Sequence, residues 1–141
     1  MPAGASPRKI LHVACALIER DGRVLSVQRS AAMSLPLKWE FPGGKIEPGE
    51  DAADCLRREV REELGVEVEI GDSLPAAAHD YPAFSVVLYP LRCRITSGEP
   101  TLHEHAAARW LSPADLFTVD WAEADLPILD TWRALTGSGP G

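Results

Sequence analysis

Three glutamates, Glu59, Glu62 and Glu63, stand at i, i+3 and i+4 inside the run GKIEPGEDAADCLRREVREELGV, residues 44–66. On a helix, that spacing sends all three from one side. Like charges this close repel, and a helix with only a structural job gains nothing from them. A divalent cation turns the repulsion into binding. Hard, oxygen-ligated Mg²⁺, for which Mn²⁺ can substitute, is the natural guest, above all where phosphate oxygens complete its shell. A solvated E/R helix face is the common alternative for acids at such spacing. The surrounding framework of Gly44, Glu50, Arg58, Val60, Gly65 and Val66 weighs against it, because it specifies a loop feeding a short helix.

The elements that position these acids can be read from patterning. Residues 10–18 (ILHVACALI) form a β-branched and aliphatic run, which predicts a buried strand. Asp21-Gly22 is a turn signal, and residues 23–29 (RVLSVQR) predict the returning strand of a hairpin. Residues 30–43 are expected to be loop. Residues 51–64 predict a helix with Ala53, Leu56, Val60 and Leu64 on its apolar stripe and Gly65 as its stop. Strands are expected at 66–70 and 84–95, with a short one at 109–111. Ser112-Pro113 resembles a helix start with Ser112 as N-cap, and a last helix is expected from Asp125 to about Leu135. Residues 1–8 read as a loose lead-in and 136–141 as a frayed tail. Interleaved strands and helices favour an α/β fold in which helices cover a mixed sheet.

Composition sets outer bounds. The chain has 141 residues, 45% of them hydrophobic, which suits one domain with a real core. No apolar run is long enough to span a membrane, and the N-terminus lacks a signal-peptide stretch. The net charge of −7 argues against a nucleic-acid polymer as partner. Cys15, Cys55 and Cys93 are far apart and form no C-x-x-C pair, so a reducing cytoplasm is expected and a zinc site is not.

The run at 44–66 fits G-x5-E-x7-R-E-U-x-E-E-x-G-U, with U aliphatic, at every specified position. It therefore resembles the box of the Nudix (MutT-like) hydrolases, a signature far more specific than a lone glycine motif. The resemblance covers roughly residues 10–135. It implies one domain over 1–141, ordered over about 9–136, built as an α/β/α sandwich with the box helix against the sheet. Hydrolysis of a phosphoanhydride adds water to a phosphorus shielded by negative oxygens, so charge must be neutralised and water held in line. Carboxylate-bridged metals do both. Glu59 and Glu63 are the leading ligands, and Glu62 is a further ligand or acts through water. The resemblance also implies Gly43 as a carbonyl ligand, with Glu50 and Arg58 orienting the glutamates. Residues 98–110 look like the loop that supplies one more acid in the MutT subgroup. Counting back from Trp110 selects Glu104 as ligand or general base, with Glu99 as competitor. Which carboxylate activates the water stays open. His103 and His105 read as solvated neighbours, His12 and His79 as structural.

The approach KWEFPGGKIE, residues 38–47, resembles the nucleoside-triphosphate pyrophosphohydrolase branch of that family. With Glu104-His105-Ala106-Ala107 and residues 124–129, the chain looks most like the CTP pyrophosphohydrolase type. The branch implies cleavage of (d)NTPs, including 8-oxo-dGTP, CTP or modified dCTP, to monophosphate and pyrophosphate, in nucleotide-pool sanitation, by a monomer or homodimer. Arg29 and Lys45 fit phosphate contacts or are surface cations. Phe41 stacks on the base or packs in its loop. Asp125 stands where 8-oxo-guanine specialists carry asparagine. Ionised, it only accepts, which suits an exocyclic amine, and it is equally placed to cap the last helix. Two other readings are an ADP-ribose or dinucleoside polyphosphate pyrophosphatase of the same family and a non-catalytic nucleotide-binding module. The length leaves no room for a repair-glycosylase domain.

Overall fold

The apolar run near the start of the chain becomes the central strand of a mixed sheet. In the computed structural model, which describes residues 8–136, β1 (Ile10–Arg20) pairs in parallel with β7 (Ser85–Ser97) from Ile10↔Ser85 to Ile18↔Cys93. Its alternate residues face opposite ways, as a strand requires. Ala14, Ala16 and Ile18 enter one apolar cluster, and Cys15 and Leu17 enter another. Both faces are covered, which explains why the sequence shows a continuous apolar run and no polar alternation.

Helix α1 (Ala52–Leu64) covers the first face. Leu56, Val60 and Leu64 are fully buried there, each contributing about 1.5–3 kcal/mol of burial. Cys55 joins them, and Ala53 is only half-buried. The helix begins where expected because Asp51 accepts the Asp54 N–H at 2.8 Å, and it ends at Gly65, whose φ of 70° suits glycine. The second face is aromatic: Trp39, Phe41, Trp121 and Trp132 pack there with Leu116 and α2 (Leu126–Thr136).

Around β1 the remaining strands fall into two groups. β4 (Gly43–Lys45) pairs antiparallel with β1, while β5 (Glu67–Ser73) and β6 (Ala77–Asp80) pair with β7. At its far end β1 turns through Asp21-Gly22 into β2 (Arg23–Gln28), which lies between β3 (Trp39–Glu40) and β8 (Ala107–Leu111). The expected mixed sheet flanked by helices is what the chain forms.

Some local expectations need correction. Residues 30–43 are not all loop, since they contain β3 and the start of β4, and β6 was not foreseen. Strands of two to four residues are too short to show a period. The helix expected after Ser112 forms as a 3-10 helix, Pro113–Thr118, with Ser112 at its N-cap position, but Ser112 Oγ donates to the Asp115 carboxylate rather than capping a backbone N–H. Apart from Arg8 and Thr136, the expected lead-in and tail lie outside the described residues. Arg8 is not loose, because its Nε donates to Ser85 Oγ at 2.6 Å, and Thr136 closes α2. Among the described residues, no helix is long and apolar enough to cross a membrane.

Candidate active site

Three strand ends and one helix face converge on a cavity of about 570 Å³. β3 contributes Glu40, the end of β2 leads to Arg29, and the residues before β8 are Glu104 and His105. Their adjacency follows from register. Glu40 lies opposite Val27, Ala107 lies opposite Gln28, and Ala106 N–H donates to the Gln28 carbonyl at 2.8 Å. From α1 come Glu59 and Glu63, while Gly43, Gly44 and Lys45 form the rim.

The three glutamates of α1 do not share one environment. The side chains of Glu59 and Glu63 are 19% and 11% exposed, whereas Glu62 is 61% exposed and points toward solvent. Glu62 lies 3.7 Å from Arg58 and does not line the cavity. The two rim glycines are steric requirements of different kinds. A Cβ on Gly43 would fall 2.0 Å from the Ala14 carbonyl oxygen, inside the β1–β4 pairing. A Cβ on Gly44 would fall 2.3 Å from the Glu59 carboxyl carbon, so the absent methyl is the space that Glu59 occupies.

Arg58 supports this arrangement from below. Its guanidinium forks onto Glu50, with Nε to Oε2 and Nη2 to Oε1 both at 2.9 Å, and Nη1 reaches Glu59 Oε1 at 2.8 Å. Glu50 Oε1 also accepts the Glu47 N–H at 3.0 Å. Those bonds, Arg58 first, hold the Glu50 carboxyl down at about 2. Glu63 has the opposite surroundings. Burial first, then Glu59, Glu40 and Glu104, push it up to about 9.

The loop carrying Glu104 is fastened to the C-terminus of α1, where helix carbonyls lack partners. Thr101 donates its N–H to the Leu64 carbonyl at 2.9 Å and its hydroxyl to the same oxygen at 3.3 Å. His103 Nδ1 lies 2.7 Å from the Glu62 carbonyl oxygen. Glu99 is engaged elsewhere, paired with Arg20 at 3.0 Å. Of the two acids weighed for the loop, it is Glu104 that lines the cavity. The reading of the two histidines as solvated holds for His103, which is exposed, and is corrected for His105. His103 fastens the loop, and His105 is buried between Glu40 and Glu63, covered by the strand ends around it.

The remaining candidates divide between cavity and core. Arg29 and Lys45 line the cavity. Arg29 Nη1 donates to Glu40 Oε1 at 2.8 Å, and its Nε and Nη2 hold Ser34. Phe41 is buried against Trp121, ring centroids 4.9 Å apart. Asp125 is buried as well and accepts the Phe41 N–H at 3.4 Å instead of capping α2. Burial, followed by nearby Glu40, raises its carboxyl well above the ordinary range. Glu40, Glu47, His105 and Met33, all lining the cavity, were missed by sequence reasoning. For Glu40 a signal existed: it alternates between buried Trp39 and Phe41 beside the motif.

The donor set fits a hard divalent cation. Glu40, Glu47, Glu59, Glu63 and Glu104 bring five carboxylates to one cavity, and the crowding of Glu40, Glu59 and Glu104 is visible in Glu63. Among the described residues, no three His, Cys, Asp or Glu side chains stand close enough together to hold a metal ion by themselves. An open, partial shell of carboxylates is what Mg²⁺ uses when phosphate and water complete its coordination.

Comparison with known proteins agrees with this geometry. The NUDIX domain family matches residues 8–132. The CTP pyrophosphohydrolase of Escherichia coli (strain K12) is 36% identical over 132 residues, covering 94% of this chain and 98% of that protein. The 8-oxo-dGTP diphosphatase of the same organism is 29% identical over 128 residues, covering 90% and 99%. The solution structure of the E. coli ORF135 protein superposes with a TM-score of 0.79 at 35% identity, covering 95% of this chain and 96% of that one. On the match across residues 8–132 and the 36% identity over nearly its whole length, the chain belongs to the Nudix hydrolase family.

Proposed function

We propose that this protein is a divalent-metal-dependent, Mg²⁺-using pyrophosphohydrolase of (deoxy)nucleoside triphosphates, acting in nucleotide-pool sanitation. The observation that carries the reading is one cavity lined by Glu40, Glu59, Glu63 and Glu104 together with the cations Arg29 and Lys45. Acids alone would repel a triphosphate, and cations alone would bind it without activating water.

In this reading Glu59 and Glu63, with the Gly43 carbonyl and Glu104, hold the metal. Bound there, the metal neutralises phosphate charge and makes water more acidic. Arg58 keeps Glu59 aimed at the cavity through its 2.8 Å bond. Arg29 and Lys45 take phosphate oxygens, Arg29 with the N–H groups that Ser34 and Glu40 leave over. A cavity carboxylate, Glu104 foremost, accepts the proton of the attacking water. Oxygen adds to phosphorus, the anhydride bond breaks, and monophosphate and pyrophosphate leave.

For the base we propose a broad or cytosine-leaning preference over strict 8-oxo-dGTP use. It is supported by the similarity to a CTP pyrophosphohydrolase, whereas Asp125, buried on the Phe41 N–H and absent from the cavity lining, does not reach a base there. Pyrophosphate release from a panel of NTPs, dNTPs, modified dNTPs and ADP-ribose, with and without Mg²⁺ or Mn²⁺, tests both parts. Metal-dependent turnover led by CTP or a modified dCTP supports the reading. Cleavage of ADP-ribose alone rejects the substrate while leaving the metal site in place.

A further inference from the structure

We propose that His105 is a positioning residue for Glu63, a buried bracket tying that helix acid to Glu40 on the sheet. The proposal rests on the reading of the cavity as a metal-dependent hydrolase site, and it adds to that site a residue outside the metal-binding motif.

The geometry has two ends. The His105 side chain is 4% exposed, with Nε2 3.0 Å from Glu40 Oε2 and Nδ1 3.5 Å from Glu63 Oε2. Nδ1 is a buried polar atom without a hydrogen-bond partner among the described residues. Such atoms are uncommon in native proteins and costly to leave unmade. Here the atom is aimed at a carboxylate, one short adjustment from a bond.

The sheet end of the bracket is rigid. Arg29 holds Glu40 from the other side at 2.8 Å and is itself held by Ser34 at 2.6 Å. The backbone beside His105 is fixed by the 2.8 Å bond from Ala106 N–H to the Gln28 carbonyl. The ring therefore approaches Glu63 from a fixed position, while Glu59 meets the same carboxyl through a side-chain hydrogen bond. Glu59 is positioned differently, by Arg58 from its own helix. Glu63 is thus flanked by His105 from the sheet and by Glu59 from the helix, and Glu59 is in turn held by Arg58.

A histidine that merely fills space can be replaced by an apolar residue of similar volume. A bracket needs nitrogen at the Nδ1 position. His105→Asn keeps an amide near Nδ1, His105→Gln keeps one near Nε2, and His105→Leu keeps only volume. Binding of Mn²⁺ alone, followed by electron paramagnetic resonance, is read beside kcat, KM and thermal unfolding. Gln and Leu should weaken Mn²⁺ binding and lower kcat by about tenfold to a hundredfold, with KM little changed. Asn keeps the Glu63 end but loses the Glu40 end, so it should fall between the parent protein and the other two variants. A uniform response of all three variants, whether none or a shared loss tracking the unfolding temperature, overturns the proposal. So does a Gln variant better than the Asn variant. If the parent binds Mn²⁺ but turns over no triphosphate, the substrate reading fails while the Mn²⁺ affinities still decide the bracket.

Discussion

Glu50 and Glu63 belong to one motif yet sit in opposite electrostatic surroundings. Glu50 lies on the Arg58 side of the loop, where a bidentate guanidinium and a backbone N–H favour its charge. Glu63 lies in the cavity, where burial and three other carboxylates oppose its charge. The same side chain is therefore a tie in one place and a crowded acid, its charge opposed, in the other. Unsatisfied charge concentrates where a ligand is meant to supply what the protein withholds.

The sharpest measurement of that contrast is Glu63→Gln. Turnover should fall about 10³-fold, equivalent to about 4 kcal/mol of barrier, with the fold retained by circular dichroism. Near-parental kcat would erase the distinction between the two sides. Gly44→Ala comes next. Its methyl meets a movable carboxylate rather than backbone, so the protein should fold while Glu59 is displaced. Metal affinity and kcat should then drop by about tenfold to a hundredfold. Glu50→Gln should cost about tenfold in kcat, by releasing Arg58 and loosening Glu59. If it cost more than Glu63→Gln, the roles would be reversed.

Without metal, pH separates the two acids by sign. Folded Glu63 keeps its proton up to about 9, whereas unfolded Glu63 loses it near the ordinary 4.5. Between those values unfolding releases a proton, so this residue makes stability fall as pH rises. Glu50, held at about 2 when folded, contributes stability that is full above 4.5 and disappears as pH falls toward 2. Unfolding temperature of metal-free protein should decline from about pH 5 to pH 9, and Glu63→Gln should flatten that slope. The smallest effect is expected for Glu99→Ala, which breaks only an exposed pair with Arg20. Parental kcat is expected there, and a strong loss would shift the loop's acid role away from Glu104.

The box helix, its stop and two of its three acids, Glu59 and Glu63, were legible because they depend on neighbours in sequence, whereas the outward turn of Glu62 was not. The central strand was legible because burial on both faces leaves an uninterrupted apolar run. β3, β4 and β6 were not, since two to four residues carry no period. Glu40 and His105 were missed for a different reason. Their contact spans 65 positions and exists only because β2 aligns β3 with β8. The placement of Phe41 and Asp125 likewise depended on how tightly the aromatic face closes over them.

The fastening of the Glu104 loop to α1 bears on how this site can be inherited. Its anchors are the carbonyls of Glu62 and Leu64, groups that every residue possesses whatever its side chain. The helix can therefore drift in sequence without losing its grip on the loop, and the loop can change length or chemistry beyond Thr101 and His103 without disturbing the helix. Catalytic helix and variable loop form two separately editable parts joined by a generic coupling, so a loop from another family member that keeps those two attachment points can be grafted onto this scaffold.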